Sequence, residues 1–413
     1  MRSLRWNLAG FLNRRSRWLA AVGAVCVLLG AASYVAWSSW ETDQDRRKAR
    51  QALDQRDFEQ AQTYWRAYLE RRPNDPEGHF LLARACRRAR VEDFSQARRH
   101  LDEAQHLGWS RPEVALESAL LAFQEDGSAG EEESLLRHAL ETAGPEKPLV
   151  AEALARGCLQ ANRLEAANGW LNTWVEETPR DWYPHLWRGA LFEYLNKANL
   201  AVPDYQLVLE KKPGDEEIRR RLGLMFLQSG YDYDGAWTQL ELYQRRHPDD
   251  PDTLVGMARC RRWKQQPEAA RALLDRVVAA HPDHFDALLT LALLDLDAGH
   301  GLQALDRLRR LEPLAWQDHE EEDLARLRRL EPTPNHEDIT HRTRTVLTLL
   351  ASVLGRLGRA DEARRYQEKV EQIAADAEEL QKALRQQEER PHDPDLRNRI
   401  GVLSRRLGIK KKG

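Results

Sequence analysis

The chain has 413 residues, with 63 lysine and arginine residues against 66 aspartate and glutamate and a formal net charge of −3, and it is too long for one ordinary domain of roughly 150 residues. Hydrophobic residues make up 42% and charged residues 31%, enough apolar material to bury a core, which excludes disorder by composition. Acidic and basic residues are interleaved, so no broad positive field arises and no nucleic-acid partner is expected.

Residues 1–18 form a basic tail containing Arg2, Arg5, Arg14, Arg15 and Arg17 and no acidic residue. Residues 19–37 (LAAVGAVCVLLGAASYVAW) are uncharged, and about 20 apolar residues suffice to cross a bilayer core. Trp18 stands at one end and Tyr34, Trp37 and Trp40 at the other, where aromatic rings favour the headgroup boundary. A single transmembrane helix is therefore expected. The arginines ahead of it, set against Arg46, Arg47, Lys48 and Arg50 behind it, predict a cytoplasmic N-terminus with the bulk on the outer, periplasmic or extracytoplasmic, side. A cleaved signal peptide, cut after the small residues from Gly30 to Ser33, and a buried core helix are the competing readings. The apolar run is longer than the roughly 7–15 residues of a signal core, which favours a retained span.

From Thr42 onward the chain repeats itself. Alanine stands twelve positions before proline at Ala61/Pro73, Ala167/Pro179, Ala201/Pro213, Ala236/Pro248 and Ala270/Pro282, and Pro145, Pro179, Pro213, Pro248 and Pro282 follow one another at 34, 34, 35 and 34 residues. Between prolines lie two helical patterns. The first carries a large–small pair, as at Leu82-Ala83, Leu154-Ala155, Leu222-Gly223, Met257-Ala258 and Leu291-Ala292. In the second, the alanine is followed four places on by Trp65, Leu171, Tyr205, Leu240 or Leu274, on the same helical face. Proline cannot continue a helix interior and closes the unit.

This period, with small residues at the helix contacts and a terminal proline, resembles the tetratricopeptide repeat family, most clearly in Leu222-Gly223, Phe226, Ala236, Leu240 and Pro248. The resemblance implies an all-α, right-handed solenoid of eight to nine units, covering 42–311 with a degenerate stretch at 112–147. Residues 312–339 depart from it. There Leu305 to Pro313 (LDRLRRLEP) recurs nineteen residues on as Leu324 to Pro332 (LARLRRLEP), which predicts an inserted helix and loop. Residues 340–390 read as a further repeat with a long, charged second helix, and 391–413 as a capping half-repeat with a basic tail ending in Lys410 to Lys412.

Cys26, Cys86, Cys158 and Cys260 show no paired spacing, and the last three fall where small apolar packing is wanted. His281, His284 and Asp286 resemble a metal cluster, as do His336, Glu337, Asp338 and His341; a polar turn and a helix start explain them as well. No catalytic set, cofactor or small-molecule substrate is expected. Trp174 reads as core, whereas Trp182 and Trp187 lie outside the main apolar positions and are candidate contacts for a ligand or partner, with structural packing the plainer reading.

In the resembled family the first helices line a concave groove that receives peptides or partner helices. By register the groove positions here are Arg156, Leu186, Arg220, Leu224, Arg259, Arg262 and Trp263. Arginines beside an aromatic suit an acidic segment or a terminal carboxylate; the plainer reading is ion pairing within the repeats. The resemblance implies a membrane-anchored scaffold for protein or peptide partners, with a chaperone-like accessory factor in cell-envelope assembly or secretion as the alternative.

Overall fold

The computed structural model describes residues 14–90, 92–109, 111–127, 130–142, 144–228, 232–316, 325–330, 339–390 and 393–409. It is an all-helical stack, without a strand among the described residues. The chain divides into two compact units, Met1–His138 and Ala139–Gly413.

The first unit contains α1 (Arg14–Asp54), α2 (Phe58–Arg71), α3 (Pro76–Arg88), α4 (Phe94–His106) and α5 (Pro112–Asp126); α6 (Glu131–Thr142) straddles the division. Helices α1 to α5 pack consecutively. Its N-terminal half projects from the stack, with Trp18, Leu28, Tyr34 and Trp37 all more than half exposed, and α1 runs without a break into the segment that buries Ala49 and Ala52 against its neighbours. The part 21–54 is the one helix among the described residues that is long and apolar enough to cross a membrane.

The second unit opens with a 3₁₀ turn (Gly144–Glu146) and continues through α7 (Lys147–Gln160), α8 (Leu164–Glu177), α9 (Trp182–Tyr194), α10 (Ala198–Lys211), α11 (Glu216–Gln228) and α12 (Tyr233–Gln244). Then come α13 (Pro251–Trp263), α14 (Pro267–Ala280), α15 (Phe285–Asp297), α16 (Gly301–Ala315), α17 (Ile339–Arg356), α18 (Ala360–Glu389) and α19 (Pro394–Arg406). From α7 on, each helix packs against the next. Helix α16 runs through Pro313 to Ala315 rather than stopping at the proline.

Local chemistry sets this rhythm. Asp75, Asp181, Asp250 and Asp393 precede first helices, Asp57, Asp93 and Asp232 precede second helices, and each side chain accepts a backbone N–H of the helix it opens. Such a cap satisfies one of the otherwise orphaned donors. The tight turn from first to second helix needs one left-handed residue, supplied by Asn162, Asn196, Gln265, Gly299 and Gly358. Gly408 holds the same conformation just after α19, which marks α19 as a first-type helix with no second helix after it among the described residues.

The packing follows the pattern legible in the chain. The second-helix alanines Ala61, Ala97, Ala167, Ala201, Ala236, Ala270 and Ala304 have no exposed surface, and Trp65, Leu171, Tyr205, Leu240 and Leu274 are equally buried one turn later. Cys86, Cys158 and Cys260 are buried as well; burial pushes the Cys86 and Cys260 thiols up to about 11, far from the range of a reactive thiolate.

A partly buried histidine pair lies between α3 and α4: His79 Nδ1 is 2.9 Å from His100 Nδ1, and His79 Nε2 is 2.9 Å from the Pro73 carbonyl. The carbonyl can only accept, so Nε2 carries the His79 proton and His100 Nδ1 donates to His79 Nδ1. Burial, the neighbouring His79 and then Arg66 push His100 down to about 4 from 6.5. Between those values the unfolded chain takes up a proton that the folded unit refuses, so stability held above pH 6.5 is lost as pH falls toward 4. With His100 only partly buried, we expect a loss of about 1 kcal/mol between pH 7 and pH 5. His100→Phe removes that component, which thermal melts of both proteins at the two pH values will show.

Candidate partner-binding groove

Arg259, Arg262 and Trp263 lie on α13, where the 3.6-residue period brings positions three and four apart onto one face. They line a groove of about 720 Å³ whose opposite wall is α15, with Leu289, Leu293 and Asp297. Trp263 is 51% exposed and stacks on Tyr233 at 4.9 Å between ring centroids. That gives the groove a flat aromatic shelf. Arg262 Nε donates to the Asp297 carboxylate at 2.7 Å across the groove. Arg259 makes no ion pair among the described residues. The groove thus pairs one committed guanidinium with one available guanidinium beside exposed aromatic surface.

The remaining candidate residues have other fates. Arg156 is 1% exposed, pairs with Glu152 and lies 4.9 Å from the Trp187 ring centroid. Leu186 and Trp187 are each 1% exposed. These three are interior, a correction to the reading of Trp187 as an exposed contact and of Arg156 and Leu186 as groove positions. The physical reason is that a helix inside a stack is covered on two sides, so its buried arc is wider than one apolar stripe. Trp187 meets Tyr183 edge-on, Tyr183 meets Trp174 in the same way, and together they form aromatic core. Trp182 is half-buried beneath the Lys212 ammonium, and Leu224 packs partly into the core beneath Leu240 and Met257.

Arg220 is nine-tenths buried and bonded to Glu217 and Asp252, which is the ion-pairing alternative. Asp252 also faces His284 Nε2 at 3.3 Å. His284 caps α15 through Nδ1, and although burial opposes its charge, Asp252 and then Asp286 outweigh it and raise its pKa. His284 therefore holds a helix start, and His281 ends α14. His341 lies on the exposed side of α17, while His336, Glu337 and Asp338 fall outside the described residues.

Sequence reasoning missed the Tyr233–Trp263 stack, because Tyr233 belongs to a second helix. It also missed Asp297, the fixed anion that occupies Arg262.

These features define a helical-repeat solenoid. Residues 46–112 and 227–291 each match a family model described as tetratricopeptide repeat, and these two stretches are tetratricopeptide repeats. Its fold is that of a protein–protein interaction scaffold. A 126-residue stretch is 31% identical to the cellulose synthase operon protein C of Xanthomonas axonopodis pv. citri (strain 306), covering 30% of this chain and 8% of that protein. The chain thus spans a small part of that relative's length. Among solved structures, similarity extends to PilW, a type IV pilus biogenesis factor, at 17% identity and a TM-score of 0.39 over 61% of this chain and 97% of that one. It extends also to YrrB, a tetratricopeptide protein with an unusual peptide-binding site, at 18% identity and a TM-score of 0.34 over 54% and 95%.

Proposed function

We propose that this protein is a scaffold anchored in a membrane by the apolar part of α1, with its N-terminus cytoplasmic, and that it captures an acidic protein segment in the groove between α13 and α15. The observation that carries this reading is Arg259: a guanidinium without an ion-pair partner among the described residues, lining the groove with the exposed Trp263 shelf. Such a guanidinium gains from a carboxylate ligand without first giving up an internal one. Arg262 has to be shared with Asp297, so it tunes the site rather than opening it. Catalysis is not part of the proposal.

The test is recovery of the detergent-solubilised full-length protein under mild crosslinking, with mass spectrometry of what accompanies it. Arg259→Glu is expected to lower recovery of the dominant partner at least tenfold, which corresponds to about 1.4 kcal/mol, with helicity and melting temperature unchanged. Equal recovery from the variant would sink the groove assignment. Loss of residues 1–38 is expected to release the protein from membranes in a flotation assay while leaving partner capture in place.

A further inference from the structure

The stack closes over its own insertion. Helices α16 and α17 pack directly on each other as consecutive elements, and Thr343 Oγ1 of α17 donates to the carbonyl of Ala315 at the end of α16 at 3.0 Å. The solenoid therefore continues from α16 to α17 without the turn at 325–330. Residues 325–330 form a single helical turn that sits far back along the chain. Arg328 Nε and Nη2 donate to the carbonyls of Leu159 and Gln160, at 3.0 and 2.6 Å, across a sequence separation of nearly 170 residues. These carbonyls belong to the C-terminal turn of α7, which a cation suits on both hydrogen-bonding and dipole grounds. At the other end of the turn, the Leu330 carbonyl accepts from Arg221 Nη1 of α11 at 3.2 Å. The turn thus joins the first helices of two repeats that have α9 between them.

Three further observations separate this contact from ordinary loop packing. Leu327 and Leu330 are 1% and 3% exposed, so the turn has an apolar side that is fully taken up. The same sequence occurs inside the solenoid: LARLRRLEP at 324–332 matches LDRLRRLEP at 305–313, and Leu308 and Leu311, the counterparts of Leu327 and Leu330, are fully buried in α16. Leu330 also holds a left-handed backbone, at φ 56°. A branched aliphatic residue adopts that conformation only when its surroundings enforce it, and here the enforcing contacts are the buried side chain and the Arg221 bond. Arg221 is itself positioned by its bond to Glu193 at 2.7 Å, and Glu193 accepts in turn from the Tyr205 hydroxyl. The receiving surface is thus prearranged by groups of the repeats.

We propose that the first-helix face of α7, α9 and α11 is a binding site for a short helical turn of the form Leu-x-x-Leu with arginine between the leucines, and that residues 325–330 are its exchangeable internal ligand. A partner segment of the same chemistry gains access by displacing them. An internal ligand on a tether acts at a high effective concentration, so it raises the apparent dissociation constant of any competitor. This site is separate from the groove between α13 and α15 and stands or falls independently of it.

The test uses the full chain in detergent and a fluorescein-labelled LARLRRLEP peptide, with a control peptide in which the second and third leucines are aspartate. The double variant Leu327→Asp/Leu330→Asp ejects the internal turn and is expected to bind the peptide at least tenfold more tightly than the unaltered protein does. Arg328→Ala, which deletes the two carbonyl bonds and keeps both leucines, is expected to fall between them, and the control peptide to bind none of the three. In the unaltered protein, millimolar peptide is expected to speed hydrogen exchange at 325–330. A double variant that keeps its helicity and melting temperature but binds the peptide no better than the unaltered protein overturns the proposal. If the double variant does not fold, the exchange measurement decides: unchanged exchange at 325–330 under millimolar peptide overturns it equally.

Discussion

Glu117→Ala is expected to destabilise the N-terminal unit by about 3–5 kcal/mol, because it strands a buried cation. Glu117 on α5 has no exposed surface, and Arg87 on α3 is equally enclosed. Arg87 Nε donates to one carboxylate oxygen at 2.5 Å and Arg84 Nε to the other at 3.1 Å. Burial alone would raise the Glu117 carboxyl, but Arg87 and then Arg84 outweigh it and hold it at about 2, below its ordinary 4.5. A folded pKa below the unfolded one means stability that is complete above pH 4.5 and is lost as pH falls toward 2. Removing the carboxylate leaves Arg87 with Gln124, whose amide oxygen accepts at 2.9 Å, and with no anion. Arg87 Nη2 already lacks a partner, so the network is imperfect even when intact. The double variant Arg87→Leu/Glu117→Leu, which removes both charges, is therefore expected to recover most of the loss, since apolar replacements of a buried pair are often neutral or stabilising. Thermal melts of the four proteins form the cycle. A double variant as unstable as Glu117→Ala would show that the network holds α3 to α5 through geometry that leucines cannot replace.

This network also shows where the sequence runs out. The fold was legible because its signals are local and periodic: the alanines of the second helices, the capping aspartates and the prolines recur at one spacing, and a repeat whose units stack only on neighbours turns that spacing directly into contacts. Buried charge is different. Glu117 looks like any helix-surface glutamate, and only the placement of Arg84 and Arg87 opposite it, about 30 residues away, removes it from water. The same limit applied to the site. Register named Arg259, Arg262 and Trp263, which the structure brings to one groove, but it named Arg156 and Leu186 on equal grounds, and both are interior. Register fixes the face of a helix that a residue occupies. It cannot say whether a neighbour covers that face. The duplicated LxRLRRLEP was visible at once, yet its landing place on α7 is a contact across nearly 170 residues that no local signal encodes.

Gly189→Ala is the second large effect expected, about 1–3 kcal/mol of destabilisation from a single methyl group. Gly189 occupies in α9 the small-residue position that Gly223 holds in α11, 34 residues on. It escaped the large–small pattern because Arg188, rather than an apolar residue, precedes it. A Cβ placed on Gly189 would come 2.7 Å from the Tyr205 ring, and one on Gly223 would come 2.8 Å from the Leu240 side chain. The distances are alike, but the neighbours are not. Both are fully buried, but Leu240 is an aliphatic chain with no polar group to fix its rotamer, whereas the Tyr205 hydroxyl is tied to Glu193, which is tied to Arg221. Moving the ring would lengthen both bonds at once, and buried polar groups lose heavily when left unpaired. Gly169, which has nothing within 4 Å of a built Cβ, supplies the opposite case: Gly169→Ala is expected to stabilise by about 0.5–1 kcal/mol through helix propensity alone. The order of melting temperatures, Gly169→Ala above the unaltered protein, then Gly223→Ala, then Gly189→Ala, tests whether pinning of the neighbouring side chain, rather than distance to it, sets the cost. If Gly223→Ala proves as damaging as Gly189→Ala, the Tyr205–Glu193–Arg221 chain is not what holds the ring in place.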